Sequence, residues 1–174
     1  MQNGKGHRVV VKVSVEEVDA LNEIWGKPFT VHSFLLIDQE RGKGGITCIV
    51  LMEVLQGDRK GLHQRTSQAR GGIESGLPTL IDLAKEAFPF LEQLKMIEIR
   101  QGPTVPGETA VEGEVLTEFL FSDSGPLVWS IQVSHRDGYC SAMETAEVAI
   151  QWRIHQQLDH MLTLDDHFLK GQQA

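Results

Sequence analysis

Cysteine and aromatic residues are scarce in this sequence. Its 174 residues include two cysteines, Cys48 and Cys140, which lie far apart and in no spacing typical of a metal or redox site. Cysteines without such a pattern are typical of reduced thiols in a cytoplasmic protein, so we expect that location. Although only 6% of the chain is aromatic, 41% is hydrophobic and 23% is charged. This composition excludes disorder and coiled coil as descriptions of the whole chain.

Positive charge is also scarce. Lys and Arg total 16 against 24 Asp and Glu, which gives a formal net charge of -8. An acidic protein repels the phosphate backbone, so we expect no nucleic-acid partner. The sequence contains no apolar run near the roughly 18–20 residues that span a bilayer, so we expect no membrane partner. Residues 1–7 are not followed by the apolar stretch of a secretory signal.

Residues 1–28 predict a short β–α extension. Residues 8–15 are rich in β-branched side chains, which is typical of a strand. Ser14 and Glu17 then form the S-x-x-E pattern of a capping box, and Gly26 is suited to end the helix. The apolar face of this helix consists of three residues at three- and four-residue steps: Val18, Leu21 and Trp25.

Residues 29–158 predict an α+β domain in which three strands and a helix occur twice. The predicted strands are segments rich in Val, Ile, Leu and Phe, separated by glycine-bearing turns: 29–39, 46–56 and the more polar 62–67 in the first half, and 94–100, 110–121 and 128–134 in the second. The residues 159–174 form a C-terminal tail, which we expect to begin as the end of the last helix.

The two predicted helices each carry one apolar face at the 3.6-residue period. The first face comprises Leu77, Leu80, Ile81, Ala84 and Phe88, and the second comprises Met143, Ala146, Ile150 and Ile154. We expect Pro78 in the first helical turn, where its missing N–H needs no partner, and we expect Ser141 and Glu144 to form a capping box. Apolar residues coincide at an offset of 70 residues, which indicates two pseudo-repeated βββα units.

The junction between the third strand and the helix of each half is the candidate ligand site. Small residues let a ligand approach the backbone, and the free N–H groups at a helix start favour a carboxylate. Glu74 and Glu144 could hold an ammonium group by charge-assisted hydrogen bonds. The candidate binding residues are Gly71, Gly72, Glu74 and Ser75 at the first junction, and Ser141, Ala142 and Glu144 at the second. An ordinary tight turn with a helix cap is the alternative interpretation.

The double βββα order and these junctions resemble the C-terminal regulatory domain of α-isopropylmalate synthase and citramalate synthase. That family has G-x-G-P-V-D-A at the first junction, where residues 69–75 read A-R-G-G-I-E-S, and G-x-S-x-D-I-x-E-A-S at the second, where residues 137–146 read D-G-Y-C-S-A-M-E-T-A. Gly71 and Glu144 match the family. Ser141 stands where the family has Asp, and the resemblance leaves out the N-terminal extension.

The resemblance implies a homodimeric regulatory module of leucine biosynthesis that binds leucine or isoleucine near these junctions at the dimer interface. It also implies a separate synthase as partner, or a longer enzyme from which this chain is a piece. The chain has no H-x-H metal pair and no length for the catalytic barrel, so we expect no catalytic residue and no cofactor. A dimerisation scaffold of the same fold that binds no ligand is the first alternative.

Three other hypotheses are a thioesterase-type enzyme, a reactive cysteine and a metal site. A hotdog-like thioesterase would require one long central helix wrapped by a sheet. Cys140 near a helix start could have a lowered pKa, although no nucleophile motif accompanies it. His155, His160 and His167 in the last segment could suggest a metal site, but they are more typical of the solvated face of a helix.

Overall fold

Each half of the chain folds into three consecutive antiparallel strands followed by one helix. The computed structural model describes residues 10–38, 45–69, 71–103, 115–123 and 128–171. The elements in chain order are β1 (Val10–Val13), α1 (Val15–Trp25), β2 (Phe29–Asp38), β3 (Ile46–Val54), β4 (Gly61–Ala69), α2 (Gly72–Ala87), a short 3-10 turn (Pro89–Leu91), β5 (Lys95–Pro103), β6 (Val115–Ser122), β7 (Val128–His135) and α3 (Gly138–Gly171). This order confirms the predicted α+β class with two βββα units.

The strands form two sheets, one from each half. The first sheet has the order β2-β3-β4, and the second has the order β1-β7-β6-β5. Neighbouring strands within a half are antiparallel, whereas β1 pairs with β7 in parallel. The strand of the N-terminal extension therefore belongs to the sheet of the second half. The polar strand β4 is longer than predicted and pairs with β3 along its full length.

One hydrophobic core joins the halves. Helix α2 packs against β3 and β4, α3 packs against β6 and β7, and the two helices also pack against each other. The predicted apolar faces are confirmed, because all nine of their residues are buried: Leu77, Leu80, Ile81, Ala84 and Phe88 on α2, and Met143, Ala146, Ile150 and Ile154 on α3. The largest fully buried rings are those of Trp129, Phe29, Phe119 and Phe121. Removing this much apolar surface from water is the main stabilising contribution to the fold.

The N-terminal helix begins and ends where the sequence predicts. The Ser14 side chain accepts a hydrogen bond from the backbone N–H of Glu17 at 3.1 Å, as expected of an N-cap. At the other end Gly26 has a φ of 78°, a left-handed value that glycine adopts without steric strain. Helix α1 packs against α3.

Both of the larger helices begin earlier than the sequence suggests, and two expectations are corrected. Helix α2 begins at Gly72, so Pro78 is its seventh residue and removes an N–H that the carbonyl of Glu74 would accept. Helix α3 begins at Gly138, so the predicted capping box at Ser141 is wrong. Asp137 caps this helix instead, since its Oδ1 accepts from the N–H of Cys140 at 2.8 Å.

The third helix is much longer than the second. Its backbone remains helical to Gly171, through most of the segment 159–174 that the sequence assigns to a tail. Each sheet packs against its own helix, so the lone central helix that the hotdog hypothesis requires is not what the described residues form. No helix among these residues has both the length and the apolar character needed to cross a membrane.

Candidate functional site

The two strand–helix junctions lie against each other. A methyl group placed on Gly76 in α2 would lie 2.5 Å from the hydroxyl oxygen of Tyr139 and 3.0 Å from Sδ of Met143, both in α3. Real Cβ atoms do not approach other atoms this closely, so glycine is what lets the beginning of α3 pack onto α2. The two segments chosen as candidate sites are 70 residues apart in sequence, and the fold brings them together.

Tyr139 lies at the centre of this contact. Its hydroxyl oxygen is 3.3 Å from Sγ of Cys48 on β3, and its ring meets that of Phe34 on β2 edge-on, with 6.1 Å between centroids. Burial raises the pKa of the Tyr139 phenol, and the neighbouring Cys48 thiol raises it further. The phenol is therefore protonated at neutral pH and acts as a packed hydrogen-bonding group.

The first junction consists of glycine backbone at the N-terminal end of α2. Gly71 precedes α2 as its N-cap, with an extended φ of -132° and no side chain to cap the free N–H groups. Gly72 is the first residue of the helix. The side chains of Glu74 and Ser75, also predicted as ligand-binding residues, lie outside the described part of the structure. Free N–H groups at such a helix start favour an anion, so the predicted carboxylate contact at Gly71 and Gly72 stays a prediction.

Two predicted residues of the second junction are buried in the protein. Ala142 has 0% exposure and is part of the core. Ser141 also has 0% exposure, and its Oγ lies 2.8 Å from the carbonyl oxygen of Val133 and 3.2 Å from that of Val115. The single proton of the Ser141 hydroxyl is therefore donated to a backbone carbonyl of β7 or β6, the nearer being that of Val133, and this bond attaches α3 to its sheet.

The remaining predicted residue, Glu144, is exposed and lines a cavity of about 240 Å³. The cavity lies between α1, β7, α3 and the segment that joins α1 to β2. Its walls combine charged, amide and aliphatic side chains: Val15, Asp19, Lys27, Val133, Glu144, Glu147, Val148 and Gln151. Three carboxylates and one ammonium group thus share a small space with three valines, which is an arrangement that can bind a charged molecule with an aliphatic body.

Glu147 is the most desolvated carboxylate of this cavity. Its Oε1 accepts from the backbone N–H of Val31 at 3.3 Å and from Nε2 of Gln151 at 3.2 Å, and it lies 3.7 Å from Nζ of Lys27. Burial raises the pKa of the Glu147 carboxyl, and the Lys27 ammonium opposes that shift by a smaller amount. A second positive group beside Glu147 would stabilise its ionised form further.

A hydrogen-bonded chain continues from Glu147 along α3. Gln151 is buried, donates to the carbonyl of Phe29 at 3.0 Å and accepts from Nδ2 of Asn22 at 3.0 Å. His155 is buried at 1% exposure, with Nε2 2.8 Å from Oδ1 of Asn22. The prediction of a solvated His155 is therefore wrong, and burial lowers the pKa of its imidazole. No group of ligands within the described residues could hold a metal ion.

The Cys140 thiol does not have the lowered pKa that its position at a helix start suggested. Burial raises the pKa of the Cys140 thiol, and the adjacent carboxylate of Asp137 raises it as well. Both cysteines are free, Cys48 being buried and Cys140 partly so. Because the thiolate is the nucleophilic form, a raised pKa disfavours Cys140 as an activated nucleophile.

Sequence reasoning did not select Tyr139 or the residues that surround it and Glu144. The unselected residues are Asp19, Lys27, Glu147 and Gln151 at the cavity, and Phe34, Cys48, Gly76 and Tyr139 at the junction contact. One signal was visible: Glu147, Gln151 and His155 recur at four-residue steps on a helix whose neighbouring positions are apolar. Polar residues at that spacing lie on one helix face and predict a buried network where the helix is packed.

Comparison with protein-family models gives no match to this sequence, and comparison with curated proteins gives none either. The functional argument therefore depends on the geometry of the two junctions and the adjoining cavity.

Proposed function

We propose that this chain is a non-catalytic regulatory module that binds a small apolar amino acid, leucine or isoleucine. The module is similar to the allosteric domain of α-isopropylmalate synthase, the family that the sequence resembles. In this proposal the amino acid stabilises one arrangement of the two halves and thereby changes the activity of a synthase, either a separate partner or the rest of a longer enzyme. The proposal includes a cytoplasmic homodimer.

The observation that carries the proposal is the contact between the two junctions at Gly76 and Tyr139. A ligand near this contact would touch both halves at once, and its binding would depend on how the halves are arranged. Glu144 directly follows Met143, which belongs to this contact, and it lines the 240 Å³ cavity. A small molecule could therefore bind beside the region where the arrangement of the halves is decided.

The test is a titration of the purified chain with leucine, isoleucine and valine, followed by calorimetry and by thermal unfolding. A ligand that binds only the folded state raises the melting temperature, and the rise grows with the ratio of ligand concentration to Kd. Aspartate serves as the control, because its side chain carries a charge that the three valines of the cavity cannot accommodate. Absence of both heat and a melting shift for all three apolar amino acids at millimolar concentration would contradict the proposal.

A dimerisation scaffold without a ligand is the second candidate, and two observations favour it. The Tyr139 side chain fills the space where the junctions meet, and the Ser141 hydroxyl is engaged with backbone carbonyls. The scaffold predicts that the chain is dimeric by sedimentation and that amino acids leave both its melting temperature and the partner's activity unchanged. Substitution of Glu74 and Glu144 by Gln would then have no effect on either measurement.

A further inference from the structure

We propose that the cavity between α1 and α3 is the amino-acid site, with the ligand ammonium group between Glu144 and Glu147 and its carboxylate on Lys27. This inference rests on the proposed function and moves the ligand away from the helix starts. It also assigns a binding role to the N-terminal extension, which supplies Lys27 and lies outside the resemblance to the synthase family. The cavity volume of about 240 Å³ suits a ligand below drug size.

The charges around the cavity match a zwitterion. The Lys27 ammonium group is exposed and forms a long ion pair with Oε1 of Glu147 at 3.7 Å, beyond normal hydrogen-bond distance, so its N–H donors can also reach a ligand carboxylate. Two further carboxylates, those of Asp19 and Glu144, line the cavity. Within the described residues, neither makes a hydrogen bond or an ion pair. The cavity therefore offers one cationic and several anionic partners, which a free amino acid requires.

Glu147 provides the most specific contact for the ammonium group. All of its described hydrogen bonds go to Oε1, from Val31 and Gln151, and these bonds hold the carboxylate in place. Its second oxygen, Oε2, makes no hydrogen bond to any described residue and is left as an acceptor. A held carboxylate with a free oxygen loses little conformational entropy when it binds a ligand.

The aliphatic walls fit the apolar part of the ligand. Val15 on α1, Val133 on β7 and Val148 on α3 contribute three branched side chains to the cavity. A branched aliphatic side chain such as that of leucine would bury apolar surface against them, whereas a charged side chain would lose hydration without compensation. The ligand would therefore hold α1, β7 and α3 together and link the N-terminal extension to the second half.

The experiment compares three probes by calorimetric titration: L-leucine, isopentylamine, which lacks the carboxylate, and 4-methylpentanoate, which lacks the ammonium group. Lys27→Met should weaken leucine binding at least about tenfold, because leucine places its carboxylate on the lysine. The same change should not weaken isopentylamine binding, because Lys27 repels the ammonium group of that probe. Glu144→Gln should weaken both leucine and isopentylamine. Matched controls are Lys60→Met in an exposed turn and Glu16→Gln on α1, which lie outside the cavity lining and should leave all affinities unchanged.

Two results would overturn this inference. One is that Lys27→Met leaves leucine affinity unchanged, and the other is that it weakens leucine and isopentylamine equally. If leucine binds Lys27→Met and Glu144→Gln as it binds wild type but does not bind Gly76→Ala, the site lies at the junctions. The proposed function would then hold, and only the assignment of the cavity would be wrong. If none of the three probes binds the wild-type chain, both proposals are wrong. Glu144 and Lys27 are exposed, so their variants are expected to fold, which circular dichroism checks.

Discussion

The two halves of this protein share an element order but begin their helices differently. In the first half, the residue preceding α2 is Gly71, which has no side chain to cap the helix. In the second half, Asp137 precedes α3 and caps it through the N–H of Cys140. The first helix start is lined by small residues and the second carries Tyr139. The two junctions are therefore complementary in shape, because the small residues at the start of α2 leave room for the Tyr139 side chain at the start of α3.

The halves also differ in the length of their helix and in the number of strands in their sheet. Helix α2 has 16 residues and its sheet has three strands, whereas α3 has 34 residues and its sheet gains β1 as a fourth strand. The addition of β1 brings α1 against α3 and creates the cavity beside Glu144. The first half has no counterpart of this extension within the described residues. The second half is therefore where an added segment could turn a repeated unit into a binding site.

The largest expected effect tests whether the halves form one cooperative unit. Leu80 on α2 and Ile150 on α3 occupy matching repeat positions, and both have 0% exposure in the same core. Replacing either by Ala should lower the free energy of unfolding by about 2–5 kcal/mol, because each change leaves a cavity in that core. Urea unfolding followed by tryptophan fluorescence and by circular dichroism should give one coincident transition for each variant.

The control for this pair is Leu62→Ala, since Leu62 is 66% exposed. It should change the free energy of unfolding by less than about 0.5 kcal/mol. If Leu80→Ala instead separated the fluorescence and dichroism transitions, the halves would fold independently, and the single shared core would be contradicted.

A smaller effect is expected where the junctions meet. Gly76→Ala places a methyl group 2.5 Å from the Tyr139 hydroxyl oxygen, so the free energy of unfolding should fall by about 1–3 kcal/mol. Gly138→Ala is the matched change at the start of α3. Its methyl group would meet Nε2 of Gln101 at 3.5 Å, an ordinary contact, so the effect should stay within about 0.5 kcal/mol. Urea unfolding measures both variants.

The double variant Gly76→Ala, Tyr139→Phe sharpens that comparison. Removing the hydroxyl oxygen that the new methyl group would approach should restore part of the lost stability. Equal effects of Gly76→Ala and Gly138→Ala, with no recovery in the double variant, would show that the two helix starts do not pack as described.

The smallest effects concern the two helix caps. Asp137→Ala should lower the free energy of unfolding by about 1 kcal/mol at neutral pH, whereas Gly71→Ser should raise it by only a few tenths, about 0.3 kcal/mol, because glycine is already an acceptable cap. Hydrogen bonding from the Cys140 N–H lowers the pKa of the Asp137 carboxyl. Chemical denaturation at neutral and at acidic pH measures both variants.

The sign of the pH dependence follows from that lowered pKa. A carboxyl group with a lowered pKa in the folded state stabilises the protein above its unfolded pKa of about 3.9, and the contribution is lost as pH falls through the folded pKa. The stability difference between wild type and Asp137→Ala should therefore shrink on acidification. A difference that stays constant from neutral pH to about pH 2 would contradict a cap that acts through the charged carboxylate.

Local sequence patterns predicted most of the fold. Runs rich in Val, Ile, Leu and Phe indicated the strands other than the more polar β4, and the 3.6-residue periods selected faces of α2 and α3 that are all buried. On α1 only Val18 of the predicted apolar face is buried, and Trp25 is exposed. The starts of the helices were less predictable. Asp137 and Ser141 are both good N-cap residues, four positions apart. Only the packing of α3 against β6 and β7 selects Asp137 and leaves the Ser141 hydroxyl to donate to Val133 or Val115.

The candidate site was predictable only in part. Glycine-rich strand–helix junctions are visible in a sequence, and Glu144 was identified there before its position beside a cavity was known. Lys27 and Glu147 were not identified, because nothing local marks two residues 120 positions apart as neighbours. Asn22 and Gln151, which hydrogen-bond to each other, are 129 positions apart along the chain.

The sequence by itself determined the order of the elements and the buried faces of α2 and α3, because hydrophobic periodicity is a local property that needs no partner. Tertiary structure decided that β1 joins the second sheet, that the helix starts touch, and that a cavity forms between α1 and α3. Those features depend on contacts between segments far apart in the chain, where several pairings satisfy the same local pattern and only the packing of the complete core selects one.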